Sequence, residues 1–167
     1  MLLIAMVDWD WGIGRNGNQP IFIPQDLARF KSLTSGGTVI MGRKTLEALP
    51  SGRPLAGRRN IVLTRDRAYK VEGAEVVHSV EEVLEIAPDD AFVIGGEETY
   101  HLLLPFCDKA YITKVSGLFF ADRFCPNLDE DSEWQVTNRG PLMQSKVVFH
   151  WVEYERKDGE GDGRDDS

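Results

Sequence analysis

Asp26 lies in Asn18-Gln-Pro-Ile-Phe-Ile-Pro-Gln-Asp26-Leu-Ala-Arg-Phe-Lys31, two residues after a proline that can open a helix. A carboxylate in a first helical turn is favoured by the helix dipole, and taken alone that accounts for it. Ile23, Leu27 and Phe30 fall on the side of the helix that Asp26 shares. A carboxylate set among them loses water, which suits an acid group or a ligand anchor.

Three other segments have the residue types of phosphate sites. Val39-Ile-Met-Gly42-Arg43-Lys44-Thr45 is an apolar run passing through glycine into a basic helix start, where free backbone N–H groups and two cations can meet an anion. A solvated basic corner explains the same pair of cations. Leu63-Thr64-Arg65 ends another run with a hydroxyl and a guanidinium, suited to a second phosphate such as the 2′-phosphate that separates NADP from NAD. Phe92-Val-Ile-Gly95-Gly96-Glu97-Glu98-Thr99-Tyr100 enters a helix through two glycines, which permit an unusual backbone and close approach by a ligand. Glu97 and Glu98 would repel a phosphate through their side chains, so the backbone must bind there.

Short apolar runs rich in Val, Ile and Tyr predict the strands that position these groups, at 2–7, 38–41, 59–64, 75–78, 91–94 and 110–115. Helical spacing predicts helices at 24–35, 43–49 and 97–104, and Ser79 followed by Glu82 is a capping box for another at 80–86. Residues 133–138 and 147–154 alternate as antiparallel strands do. Strand-helix alternation with a terminal hairpin predicts one α/β domain with a mostly parallel sheet of about eight strands and helices on both faces. Ligands in such folds bind at the carboxyl ends of the strands.

The chain of 167 residues is large enough for one core. No window is apolar enough to span a membrane, and Asp8 and Asp10 interrupt the apolar start, so 2–7 reads as a strand and not as a signal peptide. A net charge of −8 argues against nucleic acid as a partner. Cys107 and Cys125 have no metal-site spacing and read as free thiols in a reducing cytoplasm. Residues 157–167, with five acidic and two basic side chains and nothing apolar, read as a disordered tail after a folded unit at 1–156.

The order of these pieces resembles dihydrofolate reductase: Ile4-Ala5, the glycine-rich loop 12–17, P-x-x-x-P-x-D-L-x-x-F-K, V-I-M-G-R-K-T, G-R-P-L-x-G-R-x-N-I-V-L-T-R, V-I-G-G-x-x-x-Y and Tyr111-Ile-Thr113. The resemblance covers about 1–156 and implies a monomeric enzyme that uses NADPH to reduce dihydrofolate to tetrahydrofolate. Hydride goes to C6, N5 takes a proton from water admitted beside the pterin, and Asp26 polarises the ring. It further implies that Asp26 holds the pterin with support from Thr113, that Leu27 and Phe30 line the pocket, and that Arg58 pairs with the glutamate-tail carboxylate in a bidentate fork. Ile4, Ala5 and Ile94 would flank pterin and nicotinamide, with Ile13 and Gly14 on the cofactor. Gly42, Arg43, Lys44, Thr45, Leu63, Thr64 and Arg65 would hold cofactor phosphates. Gly95, Gly96, Glu97, Glu98, Thr99 and Tyr100 would supply backbone at the pyrophosphate, with Gly95-Gly96 cis. His78, at the end of the next strand, could also reach the 2′-phosphate. Diaminopyrimidine antifolates would inhibit.

Three departures stand out. Ile21 occupies a place where many members have Trp, which puts any water held by that indole in doubt. Ala121-Asp122-Arg123 replaces Gly-Asp-Thr in a late loop, leaving Asp122 able to accept backbone hydrogen bonds from the Gly14 region. Arg29 replaces an often apolar residue, and an exposed surface role is expected for it. The competing readings are a same-fold reductase of a pyrimidine intermediate of riboflavin synthesis, which would lack D-L-x-x-F-K and Arg58, and a non-catalytic folate or dinucleotide binder, which would have no need to bury Asp26.

Overall fold

The computed structural model describes residues 1–19 and 21–157, so the acidic tail lies outside the described residues from 158 onward. The chain opens with β1 (Leu2–Val7), whose alternation buries Leu3, Ala5 and Val7 on one face. A short β2 (Gly12–Gly14) leads to α1 (Pro24–Thr34), where Pro24 takes a first-turn position that needs no amide donor. The buried β3 (Thr38–Gly42) runs directly into α2 (Arg43–Ala48), and a 3-10 turn at Pro50–Gly52 precedes β4 (Arg59–Leu63).

After β5 (Glu75–Val77), α3 (Val80–Ile86) starts at Ser79, whose Oγ accepts the amide of Glu82 at 3.1 Å. The Glu82 carboxylate reaches back to the amide of His78 at 2.9 Å, one residue earlier than a standard capping box. Next come β6 (Phe92–Gly95), α4 (Glu97–Leu103), a 3-10 turn at Leu104–Phe106 and β7 (Lys109–Val115). The chain then adds β8 (Arg123–Phe124), β9 (Trp134–Arg139), β10 (Met143–Gln144) and β11 (Val148–Arg156).

Nine strands form one sheet in the order β10-β11-β7-β1-β6-β3-β4-β5, with β9 also paired to β11. The six from β7 to β5 are parallel, and β11 runs antiparallel to β7, β9 and β10. The eight expected strands are all present, and the ninth, β10, is two residues long and shows no period.

Both faces of the parallel sheet are covered, as burial of its backbone requires. On one face Leu3, Ile40, Ile61, Val93 and Ile112 share a core with Val83 of α3 and Leu103 of α4. On the other, Val39, Met41, Val62 and Phe92 pack with Leu33 of α1 and Leu46 of α2. A smaller cluster of Ile23, Val115 and Phe149 collects Ile21 and Trp151 beside the start of α1.

A separate ribbon pairs β2 with β8. A Cβ on Gly12 would stand 2.5 Å from the Cβ of Ala121, so a larger residue has no room there. Asp122 donates its amide to the Gly14 carbonyl at 2.9 Å and accepts the Asn16 amide on Oδ2 at 3.1 Å. Asp8, buried at the end of β1, accepts the amides of Asp10, Gly12 and Phe119 at 2.8–2.9 Å and ties both loops to the sheet. Three charge-assisted bonds to one buried carboxylate offset its loss of water.

Candidate active site

The parallel strands end at one edge, and α1 lies across that edge on the face of α2. Asp26, in the first turn of α1, is half-buried. Thr113 Oγ1 donates to Asp26 Oδ1 at 2.5 Å, joining α1 to β7. A second donor was not foreseen: Trp151 Nε1 on β11 gives its hydrogen to the same oxygen at 3.0 Å. The only sequence signal for it is the alternation of β11, which puts Trp151 on the face of Phe149, toward Ile21 and Ile23.

Arg29 corrects an expectation. It is not a free surface cation, because its guanidinium lies 4.6 Å from the centroid of the Trp151 ring and 5.5 Å from that of Tyr111. Burial pushes its pKa down, opposed by the charges of Asp26 and Glu153. Leu27 is 53% exposed and Phe30 is half-buried, so they form an open apolar wall beside Asp26 and not an enclosure.

Arg58 stands at the far end of α1, 6.0 Å from the centroid of the Phe30 ring. Its Nη1 donates to Thr34 Oγ1 at 3.1 Å and its Nε to the Ala56 carbonyl at 3.0 Å, which fixes the guanidinium plane. Burial pushes its pKa down as well, yet a guanidinium keeps its charge throughout the physiological range.

On the α2 side, the ends of β3 and β6 approach through glycine. A Cβ on Gly42 would meet Thr99 Oγ1 at 2.9 Å, and a Cβ on Gly95 or Gly96 would meet Thr45 Oγ1 at 3.3 Å. Gly95 has φ +136°, which side chains rarely adopt, and the Gly95-Gly96 peptide is cis. Thr99 and Tyr100 are buried, and the Tyr100 hydroxyl donates to the Ile4 carbonyl at 2.7 Å, joining α4 to β1. Both side chains are thus turned into the protein, Tyr100 onto β1 and Thr99 beside Gly42. Burial raises the Tyr100 phenol well above its usual range, so it stays a neutral donor.

Two of the arginines around this edge already have carboxylate partners. Arg43 donates to Glu47 at 2.8 Å and to Asp66 at 3.0 Å and lies over the Tyr69 ring, while the exposed Arg65 pairs with Glu98. Glu97 accepts the amide of Phe124 at 3.1 Å and sits 4.0 Å from Arg123, so its charge is turned toward β8. Lys44 is exposed, and Ile13 and Gly14 of β2 are half-buried. Leu63 closes β4 and Thr64 follows it, and His78 is tied beside them by Nδ1 contacting the Thr64 carbonyl at 2.9 Å. The glycine-lined edge, buried hydroxyls and flanking cations fit a phosphate-bearing dinucleotide.

A fixed carboxylate on one side and a dinucleotide edge on the other fit a nicotinamide-dependent reductase of a flat heterocycle. The family model described as dihydrofolate reductase matches residues 1–156. A dihydrofolate reductase of Bacillus subtilis is 44% identical over 150 residues, covering 87% of this chain and 88% of the relative. One of Mycobacterium leprae is 45% identical over 140 residues, covering 77% and 84%. The solved structure of dihydrofolate reductase from Enterococcus faecalis complexed with NADP(H) and RAB-propyl superposes with a TM-score of 0.84 at 34% identity, covering 94% of this chain and 96% of that one. The chain belongs to the dihydrofolate reductase family. Its activity is the NADPH-dependent reduction of dihydrofolate.

Proposed function

We propose that residues 1–156 form the catalytic unit and that Asp26 is the group on which reduction of 7,8-dihydrofolate to 5,6,7,8-tetrahydrofolate turns. The observation that carries this is the half-buried Asp26 carboxylate, with both protein donors on Oδ1 and no hydrogen bond to Oδ2 among the described residues. A carboxylate so placed accepts the ring N–H and amino group of a pterin and orients the ring for reaction. Asp26 does not hand over a proton itself; the proton for N5 comes from water, and Asp26 polarises the ring by its charge. NADPH supplies the hydride when bound. Ile4, Ala5 and Ile94 flank the reacting rings, Leu27 and Phe30 cover the substrate, and Arg58 binds its tail carboxylate.

Ile13, Gly14, Gly42, Arg43, Lys44, Thr45, Leu63, Thr64, Arg65 and the backbone of 95–100 hold the cofactor, with Arg65 on the 2′-phosphate. His78 Nδ1 is engaged with Thr64, leaving Nε2 for that phosphate. Diaminopyrimidine antifolates occupy the Asp26 side, as a protonated ring pairs with its charge. The chain works as a cytoplasmic monomer without nucleic-acid or membrane partners. The acidic balance argues against nucleic acid, and the free thiols of Cys107 and Cys125 fit a reducing compartment.

The test follows NADPH consumption by its near-ultraviolet absorbance in the presence of dihydrofolate. Steady consumption by the wild type, lost in Asp26→Asn, is expected; equal rates in both remove Asp26 from its role. Deleting residues 158–167 should change neither activity nor Tm, and a large loss of either would show that the tail is part of the working unit.

A further inference from the structure

Thr113 and Trp151 are direct cross-strand partners in the antiparallel pairing of β7 and β11. Residues opposite each other in such a pair project to the same face, so the hydroxyl and the indole N–H arrive side by side. Both end on Asp26 Oδ1, at 2.5 and 3.0 Å. A carboxylate turns easily about its last side-chain torsion, whose preference is broad. Two donors in fixed register on one oxygen remove that freedom.

Satisfying a buried indole does not by itself explain the contact. Trp134 buries its Nε1 with no hydrogen-bond partner, so this fold tolerates an unpaired indole, whereas Trp151 is only partly buried and has a carboxylate. Arg29 adds a second constraint from α1, the helix that carries Asp26. Its guanidinium lies over the Trp151 ring and holds the indole against the helix. Ile21, in the same apolar cluster, has no side-chain donor to offer.

We propose that Trp151 is a positioning residue for dihydrofolate reduction: clamped by Arg29, its indole N–H fixes the Asp26 carboxylate through Oδ1 and keeps Oδ2 for the substrate ring. The inference rests on Asp26 being the anchor of that ring. It extends the anchor from two elements to three, because β11 joins α1 and β7 in setting the carboxylate plane.

The test is a double-mutant cycle on the binding of a 2,4-diaminopyrimidine antifolate, measured by calorimetry with NADPH saturating. Trp151→Phe keeps a ring beneath Arg29 and deletes only the donor and the smaller ring. It should weaken the antifolate about tenfold when Asp26 is present, the scale of one hydrogen bond to a charged group. In the Asp26→Ala background the same change should cost less than about twofold, since the indole has lost its acceptor. NADPH affinity and Tm should stay near wild type in Trp151→Phe, which shows that the sheet is intact. Equal losses in both backgrounds, or none in either, overturn the proposal. An antifolate bound at full strength by Asp26→Ala alone overturns the anchor reading beneath it, and the two failures are thereby told apart.

Discussion

The substrate side and the cofactor side of the site hold their charged groups in opposite ways. Asp26 is half-buried and tied by two neutral donors from the sheet, and Arg58 is fixed by a hydroxyl and a carbonyl. None of these hydrogen-bond partners carries a charge, so neither group has to give up a hydrogen-bonded ion pair to meet a ligand. Arg65 and Arg43 instead lie on the surface against Glu98, Glu47 and Asp66. A phosphate must displace or share those carboxylates, in a setting where water and salt screen the exchange. The substrate side is preorganised, whereas the cofactor side is poised by competition.

The largest expected effect comes from removing the preorganised charge. Asp26→Asn keeps the shape and should lower turnover about a hundredfold or more, as loss of one well-placed electrostatic group does. A fall of only a few-fold would erase the contrast. Arg58→Ala should raise the KM for dihydrofolate about tenfold to a hundredfold and leave that for NADPH in place, because the partner proposed for its guanidinium is the carboxylate of the substrate tail. Equal rises in both constants would move Arg58 out of the substrate side.

Arg65→Ala should raise the KM for NADPH about tenfold while the KM for NADH and kcat barely move, since the role proposed for its guanidinium is on the 2′-phosphate alone. Losses shared by NADH would make the residue structural. The smallest effect tests the competition itself. Glu98→Gln should tighten NADPH by at most about fivefold, the range of one exposed ion pair, and the gain should shrink as salt is added. A weaker NADPH complex in this variant would mean that Glu98 positions Arg65 rather than opposing it.

Much of the fold is legible in the sequence because its long elements have unambiguous periods. Residues 2–7 form a strand with the expected bounds, and Ser79 with Glu82 starts α3 at the residue the capping pattern names. The β2–β8 ribbon and β10 are not legible, since Gly12–Gly14, Arg123–Phe124 and Met143–Gln144 hold no apolar run of the kind that marks even the short β5, and they form only when tertiary pairing brings them together. Asp8, read only as the end of an apolar run, proves to be the acceptor for three loop amides. Around Asp26 the local sequence specifies the helix turn but not the partners. The contact with Trp151 spans 125 residues of chain, and Arg29 was misplaced on the surface because its aromatic partners come from β7 and β11. Long-range contacts of this kind are set by sheet order, which no local pattern encodes.

Binding of the two ligands to one variant tests the contrast most directly. A diaminopyrimidine antifolate and NADPH are titrated separately into wild type and Asp26→Asn, with calorimetric dissociation constants as the readout. The antifolate should weaken by about tenfold or more, because its protonated ring loses a charged partner, and NADPH should bind as it does to the wild type. An antifolate constant that does not change, or an equal loss for both ligands, would contradict a charged substrate anchor that stands apart from the cofactor edge.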